Sequence, residues 1–275
     1  MPIASKAAGE LSVVRQVILD STVIGRIAVA TTGELEAAIA RLSVVRKEGA
    51  KVLVTGTIVN EITATHPRQD VFDNLLATIA RVCDGCLDVE APEILRLELD
   101  EADPYTIITG KEPLPVSMLD GLKNAVKQEE VRKSYAEGGF GNDGLRHLLE
   151  ALDPVRKKVR DQIESFAEYV DARRIPCLKG FLEVSHERGH IAKNECDPEA
   201  LWKKGTAWRF ATLMLLANEY RRLTRTQDKG EGSLTDLRIV IESAYSHEIL
   251  TGDKEFVGCG QLANKIVSKP MVSLW

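Results

Sequence analysis

Long apolar runs are absent from this sequence, and that absence argues against several classes of protein. No apolar stretch approaches the roughly 18 residues that a membrane span requires, so we expect no membrane partner. Lys6, Glu10 and Arg15 interrupt any signal-peptide core, so export is not expected. Five cysteines are too few for a disulfide framework in a chain of 275 residues, and they favour a reducing cytoplasm.

Aromatic residues are scarce as well, and no excess of positive charge compensates for them. Their share of 5% argues against extensive stacking of nucleic-acid bases. The net charge of −5 gives the whole chain no attraction to nucleic acid, although local basic patches can still bind it. The contents of hydrophobic residues (44%) and charged residues (28%) are typical of a globular protein. Nucleic acid and peptide therefore both remain as substrate classes.

Both ends of the chain alternate between strand-like and helix-like segments. Residues 13–20 are an apolar run that ends on a carboxylate, and residues 34–49 place apolar side chains at helical spacing. Residues 51–62 predict a second strand that breaks at Gly56 into a helix, and residues 70–83 continue helically. This order predicts an α/β fold with three layers, α/β/α, around a central parallel sheet.

Helical patterns dominate the middle of the chain. Breaks are predicted at the glycine-rich stretch 138–143, at Ile175-Pro176 and at Asp197-Pro198. After a surface loop at 226–233 the alternation of helix and strand returns, with a short strand at 248–253. The predicted division is an α/β domain formed by residues 1–92 and 230–275, with an all-helical insertion over residues 93–229.

Four carboxylates stand where the predicted strands end or the next helices begin. Asp20 and Asp253 follow strands, Glu61 lies early in the helix after strand two, and Asp236 lies in the first turn of a helix. In an open parallel sheet these positions share one edge, where ligands bind. Carboxylates gathered there repel one another, and a divalent cation is the usual reason to tolerate this. We therefore predict a Mg²⁺ or Mn²⁺ site that supports phosphoryl hydrolysis.

The same four segments resemble the PIN-domain nucleases. That family begins with a strand ending in Asp-Thr-Asn-Val-Leu or close to it, and residues 20–24 read Asp-Ser-Thr-Val-Ile. A glutamate after strand two matches Glu61, and an Asx/Ser/Thr-Asp pair that opens a late helix matches Thr235-Asp236. The pattern Thr-x-Asp-x-x-Phe matches residues 251–256. Thr22 stands where the family has Asn, so a hydroxyl replaces an amide.

The resemblance covers residues 13–90 and 231–267 and implies a divergent PIN-like, metal-dependent endoribonuclease. RNA is favoured over DNA by the resemblance alone. An antitoxin or another regulatory protein is an implied partner, and the insertion can gate the substrate or form a homodimer interface. The implied site consists of Asp20, Glu61, Asp236 and Asp253, which hold Mg²⁺ or Mn²⁺ and are catalytic, with Thr22 and Thr251 in supporting roles.

Each carboxylate also has an ordinary structural explanation. Asp236 follows Ser233 at the spacing of a capping box, Asp253 fits a turn, and Glu61 alone fits a solvated helix. Asp20 is harder to explain, because an acid directly after an apolar strand needs a partner or water. The joint pattern favours the metal site, and an inactive PIN-like module that binds nucleic acid or a partner protein is one alternative.

A further alternative comes from a different motif. His186, Glu187 and His190 have the H-E-x-x-H spacing of zinc peptidases, which on a helix places both imidazoles on one face. Gly189 costs a helix interior about 1 kcal/mol relative to Ala, and Glu219 is the best candidate for a third ligand. The alternative function is a zinc metallopeptidase. The structural alternatives for the two histidines are a helix end or a contact to phosphate.

Two remaining patterns are less specific. Cys83 and Cys86 form a C-x-x-C without a second pair nearby, so we predict reduced, buried thiols. Basic clusters in the insertion can face phosphate, or they can form a solvated surface with salt bridges. These clusters are residues 156–160, Arg173-Arg174, Lys203-Lys204, and Arg221-Arg222 with Arg225.

Overall fold

The protein forms a five-stranded parallel sheet surrounded by helices. The computed structural model describes residues 14–65, 68–123, 128–130, 133, 165–192, 196–224 and 237–275. The strands are β1 (Gln16–Leu19), β2 (Lys51–Thr55), β3 (Gly85–Leu87), β4 (Glu248–Thr251) and β5 (Met271–Leu274). They lie in the order β3-β2-β1-β4-β5, and every neighbouring pair is parallel. The predicted α/β class with a parallel sheet is confirmed.

Four helices connect the first three strands, and their ends follow local signals. Thr31 and Glu34 form a capping box before the second helix, and Gly49, at φ +80°, turns the chain into β2. The predicted break at Gly56 is confirmed, because strand β2 ends at Thr55 and the next helix begins at Gly56. The bounds are α1 (Ser21–Ala28), α2 (Thr32–Lys47), α3 (Gly56–Thr65) and α4 (Gln69–Val82).

The described middle of the chain is mainly helical. It contains a 3-10 helix at Val116–Lys123. The α-helices are α5 (Ala91–Asp100), α6 (Pro104–Thr109), α7 (Phe166–Glu187), α8 (Pro198–Lys204) and α9 (Thr206–Thr224). Among the described helices, none has the length and apolar character of a membrane span.

The break predicted at Ile175-Pro176 is wrong, because α7 continues through Pro176. Aromatic contacts on both sides of the proline hold this helix against α9. Phe166 lies 5.4 Å from Tyr220 and Phe181 lies 4.6 Å from Trp208, measured between ring centroids. Packing along the whole length of α7 therefore outweighs the local cost of the proline.

The end of the chain returns to the sheet. Helix α10 (Leu237–Glu242) precedes β4, and α11 (Lys254–Ala263) connects β4 to β5. Helix α9 contacts α5, α7, α10 and α11, so the middle segment shares its packing with both ends of the chain. The division at residues 93 and 229 stays a prediction.

The core lies on both faces of the sheet. Val17, Ile18 and Leu19 are consecutive in β1, and each is fully buried. Since successive side chains of a strand point to opposite faces, both faces of β1 are covered. This explains why the strand is an uninterrupted apolar run and shows no alternation.

Two glutamates are buried among backbone donors. Glu98, on α5, accepts hydrogen bonds from the N–H groups of Ala207 (2.7 Å) and Trp208 (3.1 Å) and from the hydroxyl of Tyr245. This carboxylate therefore caps the first turn of α9. Burial raises the pKa of Glu98, and the hydrogen bonds it accepts oppose that rise.

Glu242, the last residue of α10, has a similar position at the start of α3. It accepts hydrogen bonds from the N–H of Thr57 (3.2 Å) and from the Thr57 hydroxyl (2.7 Å). Burial raises its pKa, and the hydrogen bonds from Thr55, Thr57 and the backbone of Ala91 oppose the rise. Both glutamates thus satisfy helix N-termini inside the core.

Candidate functional site

Strands β1 and β4 bring the first two side chains of the candidate site together. Leu19 lies opposite Leu250 in the sheet register, so Asp20 and Thr251 follow at the same edge. The chain first adds β2 and β3 on one side of β1, and it then adds β4 and β5 on the other side. The gap between these two strands is therefore the switch point of the sheet, where parallel α/β folds bind their ligands.

Four donors contact the carboxylate of Asp20; the Ser21 hydroxyl lies 3.5 Å from Oδ1, and the other three donors lie within 2.8 Å and fix its orientation. Its Oδ1 accepts a hydrogen bond from the N–H of Ser21 at 2.8 Å, as expected for the residue that caps α1. Its Oδ2 accepts from the hydroxyls of Thr22 and Thr251, each at 2.7 Å. Asp20 is half-buried. The predicted contacts of Thr22 and Thr251 with the site are thus direct hydrogen bonds.

The two hydroxyls also order the loop after β4. Thr22 Oγ1 accepts from the N–H of Gly252 at 2.8 Å, and Thr251 Oγ1 accepts from the N–H of Asp253 at 3.0 Å. Each hydroxyl therefore donates to Asp20 and accepts from the loop. This arrangement couples the end of β1 to the end of β4, so the two loops form one unit.

Glu61 lies on α3 beside Asp20. Burial raises its pKa, a hydrogen bond with the Ser21 side chain opposes this, and the charge of Asp20 adds to the rise. The structure thus brings two of the predicted carboxylates together, and they repel each other. Ser21 was missing from the predicted site, and its only sequence signal is its position next to Asp20.

Asp253 uses its side chain differently. Its Oδ1 accepts hydrogen bonds from the N–H groups of Glu255 (2.7 Å) and Phe256 (3.3 Å), which makes it the cap of α11. Its backbone N–H contacts the site by donating to the hydroxyl of Thr251, while its carboxylate accepts hydrogen bonds at the N-terminus of α11. Asp236 and Thr235 lie outside the described residues.

The side-chain atoms at this edge that could bind a metal suit a hard divalent cation. All are oxygens, and Mg²⁺ is usually bound through one or two carboxylates together with water and substrate phosphate. Asp20 and Glu61 supply two such carboxylates whose mutual repulsion a cation would relieve. Within the described ranges, no three His, Cys, Asp or Glu residues are grouped closely enough to hold a metal ion by themselves. The ligand roles predicted for Asp236 and Asp253 stay predictions.

Arg26 is a further residue of this edge that the sequence did not single out. It lies one turn after Thr22 on α1, and its Nη2 donates to the carbonyl of Gly252 at 3.0 Å. A Cβ at Gly252 would stand 2.8 Å from Arg26 Cζ, so the glycine allows this close approach. Such a contact depends on the loop after β4, which the local sequence does not specify.

The histidine motif lacks the geometry that the zinc alternative requires. Helix α7 ends at Glu187, and Gly189 has φ +72°. The N–H of His190 donates to the carbonyl of Ser185 at 2.9 Å, so His190 lies beyond the helix end. The zinc alternative requires both imidazoles on one face of a helix, and the glycine ends the helix before His190.

The proposed third zinc ligand is also distant. Glu219 pairs with Arg173 at 3.5 Å, and Arg173 precedes His186 by 13 residues on α7. At 1.5 Å per residue this separation is about 20 Å. His186 Nδ1 instead lies 3.2 Å from the carbonyl of Ile191. The histidines thus match the predicted helix end with local hydrogen bonds.

Several of the basic residues in the middle segment are paired with carboxylates. Arg174 lies 3.5 Å from Glu199, and Arg221 lies 3.0 Å from Glu255. These pairs fit the solvated surface with salt bridges better than a phosphate-facing surface. Residues 156–160 and Arg225 lie outside the described residues.

The two cysteines of the C-x-x-C pair are buried. Cys83 and Cys86 are free thiols in the core. Burial raises the pKa of both thiols, to about 12 for Cys86. The prediction that these two thiols are buried is confirmed, and their reduced state stays a prediction.

Comparison of the chain with protein-family models, with curated proteins and with solved structures found no match. The resemblance to PIN-domain nucleases therefore stays a prediction that depends on the residues quoted for it. The fold class, the switch-point position and the contacts around Asp20 do not depend on that resemblance.

Proposed function

We propose that this protein is a PIN-like, metal-dependent nuclease that hydrolyses phosphodiester bonds in RNA. The observation that carries the proposal is the pairing of Asp20 and Glu61 at the switch point of the sheet. Half-buried carboxylates that repel each other at a ligand-binding edge are typical of a cation site. The preference for RNA over DNA depends on the family resemblance alone.

The segments that carry the resemblance are in direct contact. The Asp20-Ser21-Thr22 segment directly follows β1, and the Thr251-Gly252-Asp253 segment lies at the end of the neighbouring strand β4. Two hydrogen bonds, of 2.7 and 2.8 Å, join the two segments. Contact between segments more than 200 residues apart supports a shared role. It favours a common site over two unrelated turns.

The chain's own residues can perform three tasks. A divalent cation bound here would supply charge compensation for a phosphoryl group and a means of activating water. Asp20 is held in one orientation by three donors, so its ligand geometry is set before substrate binds. Glu61 would be the second carboxylate ligand, and a bound cation would offset the rise in its pKa that burial and the charge of Asp20 cause. Thr22 and Thr251 keep the two loops in register.

The test is cleavage of mixed RNA and single-stranded DNA with Mg²⁺ or Mn²⁺ by the wild type and by Asp20→Asn. Asparagine also caps helices well, so α1 should persist. Removing the charge should lower cleavage at least about 100-fold, comparable to the loss of one stabilising group in other hydrolases. Asp103→Asn is the matched control, since Asp103 caps α6 in the same way, and it should cleave like the wild type.

Two outcomes would contradict the proposal. Equal cleavage by Asp20→Asn and wild type would show that the site lies elsewhere. A wild type that binds RNA but cleaves no RNA or DNA with Mn²⁺ supplied would support the inactive binding module.

A further inference from the structure

A cavity lies beside the Asp20 edge, between α1, α2 and the end of β5. Its volume is about 410 Å³, within the range of about 300–1,000 Å³ usual for small-molecule pockets. Ile27 and Ala38 form a buried apolar part of its lining, and Val29, at the rim, is 83% exposed. The cavity is thus open to solvent, has apolar and polar walls, and has room for a nucleobase.

Two chains of hydrogen bonds place this cavity next to Asp20. Arg26 lines it and binds the carbonyl of Gly252, whose N–H binds the hydroxyl of Thr22. Trp275 lines it as well, and its backbone N–H donates to the carbonyl of Thr251 at 2.9 Å. Arg26 follows Thr22 by one helical turn, a rise of about 6 Å. A nucleotide adjacent to a phosphate at Asp20 can therefore reach the cavity.

The aromatic ring at the cavity suits a base. Trp275 is half-buried, and the guanidinium of Arg41 lies 4.4 Å from its ring centroid. Arg41 thus orders the ring and adds positive charge beside the cavity, where it can attract the phosphates of a nucleic acid. Single-stranded bases stack on accessible aromatic side chains, and Trp275 is partly accessible whereas the other two tryptophans, Trp202 and Trp208, are buried.

One wall of the cavity carries a hydrogen-bond acceptor. The Oε2 of Glu34 accepts hydrogen bonds from the N–H and the hydroxyl of Thr31, each at 2.8 Å, which fixes the carboxylate at the start of α2. A carboxylate has two oxygens with several lone pairs, so Glu34 retains capacity for another donor. Carboxylates read the exocyclic amino group of cytosine in other complexes.

We propose that this cavity binds a nucleobase with an exocyclic amino group, from the nucleotide next to the cleaved phosphate, by stacking on Trp275 and hydrogen bonding to Glu34. The inference rests on the proposed nuclease function for its substrate class. It adds a base preference that the carboxylate edge does not provide. Cytosine and uracil separate the two contacts, because they differ in whether a donor or an acceptor stands at position 4.

The test measures binding of fluorescently labelled oligocytidylate and oligouridylate hexamers by anisotropy, in EDTA so that cleavage plays no part. Wild type should bind the cytosine hexamer about fivefold or more tightly than the uracil hexamer. Trp275→Ala should weaken binding of both about tenfold, whereas Leu274→Ala, a neighbouring exposed apolar residue, should leave it unchanged. Trp275→Phe, which keeps a smaller ring, should retain part of the affinity and serves if the alanine variant fails to fold.

Glu34→Gln isolates the hydrogen bond. Glutamine also forms a capping box with Thr31, so α2 should be preserved, while its amide can donate to uracil. The cytosine-to-uracil ratio should fall to near one. Unchanged affinity in both tryptophan variants, or an unchanged ratio in Glu34→Gln, would overturn the proposal even if the protein cleaves RNA. If the wild type cleaves nothing but still binds the cytosine hexamer more tightly than the uracil hexamer, the base-binding cavity is supported and the proposed nuclease function is rejected.

Discussion

Two pairs of carboxylates in this molecule differ in what surrounds them. Glu98 and Glu242 are 8% and 4% exposed, and each is enclosed by donors at a helix N-terminus. Asp20 and Glu61 are half-buried at the switch point of the sheet and lie next to each other. The carboxylate oxygens of the enclosed pair accept hydrogen bonds from the protein itself. The edge pair instead places two negative charges close together at the ligand-binding edge of the sheet.

The comparison shows that a raised pKa does not by itself mark a functional residue. Burial raises the pKa of Glu61, and it also raises that of Glu98 and Glu242. The neighbour distinguishes them, because only Glu61 of the three has another carboxylate, Asp20, among the causes of its shift. The enclosed pair therefore stabilises the fold, and ligand binding by the edge pair stays part of the proposed function.

The largest expected effect comes from removing an enclosed carboxylate. Glu98→Leu leaves the N–H groups of Ala207 and Trp208 and the hydroxyl of Tyr245 without their acceptor inside the core. We expect the free energy of unfolding, measured with urea, to fall by about 3–5 kcal/mol. Glu98→Gln keeps one acceptor oxygen and should lose less. A loss below about 1 kcal/mol in Glu98→Leu would remove the structural role of this residue.

The edge pair should respond in the opposite way. Glu61→Gln removes a charge that repels Asp20, so the free energy of unfolding should stay within about 1 kcal/mol of wild type or rise slightly. RNA cleavage should fall about 100-fold. Turnover and thermal unfolding of one preparation test both points, with Glu36→Gln, an exposed glutamate of α2, as the control. Full activity in Glu61→Gln would restrict the candidate site to Asp20.

The sequence predicted the parts of this comparison that depend on strand ends. An apolar run before Asp20 and another before Thr251 fix where β1 and β4 stop, and parallel pairing then brings the two ends together. Strands β3 and β5 were not predicted. Strand β3 has only three residues, too few to show a period, and β5 buries only one of its four residues, whereas β1 and β4 each bury three. The enclosed pair was also not predicted, since Glu98 and Glu242 resemble surface glutamates until their partners 109 and 185 residues away are known.

Roles within the site were harder to predict than positions. Asp253 fits both a ligand and a helix cap from its sequence, and its hydrogen bonds to α11 show the cap. The His186–His190 spacing matched a metal motif, but the positive φ of Gly189 separates the two rings. Local patterns thus locate candidate residues, while the direction of each side chain depends on contacts that are distant in sequence.

A pH series sharpens the assignment of the enclosed pair. A glutamate whose folded pKa is raised stabilises the protein fully below its unfolded pKa of about 4.3, and this stability is lost as pH rises through the folded pKa. Glu242→Gln cannot ionise, so its free energy of unfolding relative to wild type should increase by about 1 kcal/mol between pH 5 and 8. Urea unfolding at several pH values measures this difference. Parallel curves for the two proteins would mean that Glu242 has an ordinary pKa in the fold.

The smallest expected effect tests how the edge pair depends on its loop. Gly252→Ala places a methyl group 2.8 Å from Arg26 Cζ, but the guanidinium is the far end of a flexible side chain and can move away. The cost is the hydrogen bond to the Gly252 carbonyl, about 1 kcal/mol, and cleavage should fall only a few-fold because the hydrogen bond from the Gly252 N–H to Thr22 remains.

Arg26→Ala provides the matched measurement for that substitution. If the methyl group acts only by displacing Arg26, the double variant should be no worse than Arg26→Ala, in unfolding free energy and in cleavage. Additive losses would instead mean that the backbone of the loop has moved and that Asp20 has lost the alignment set by Thr22 and Thr251. The cycle therefore distinguishes an edge site maintained by its two threonines from one that also needs the arginine.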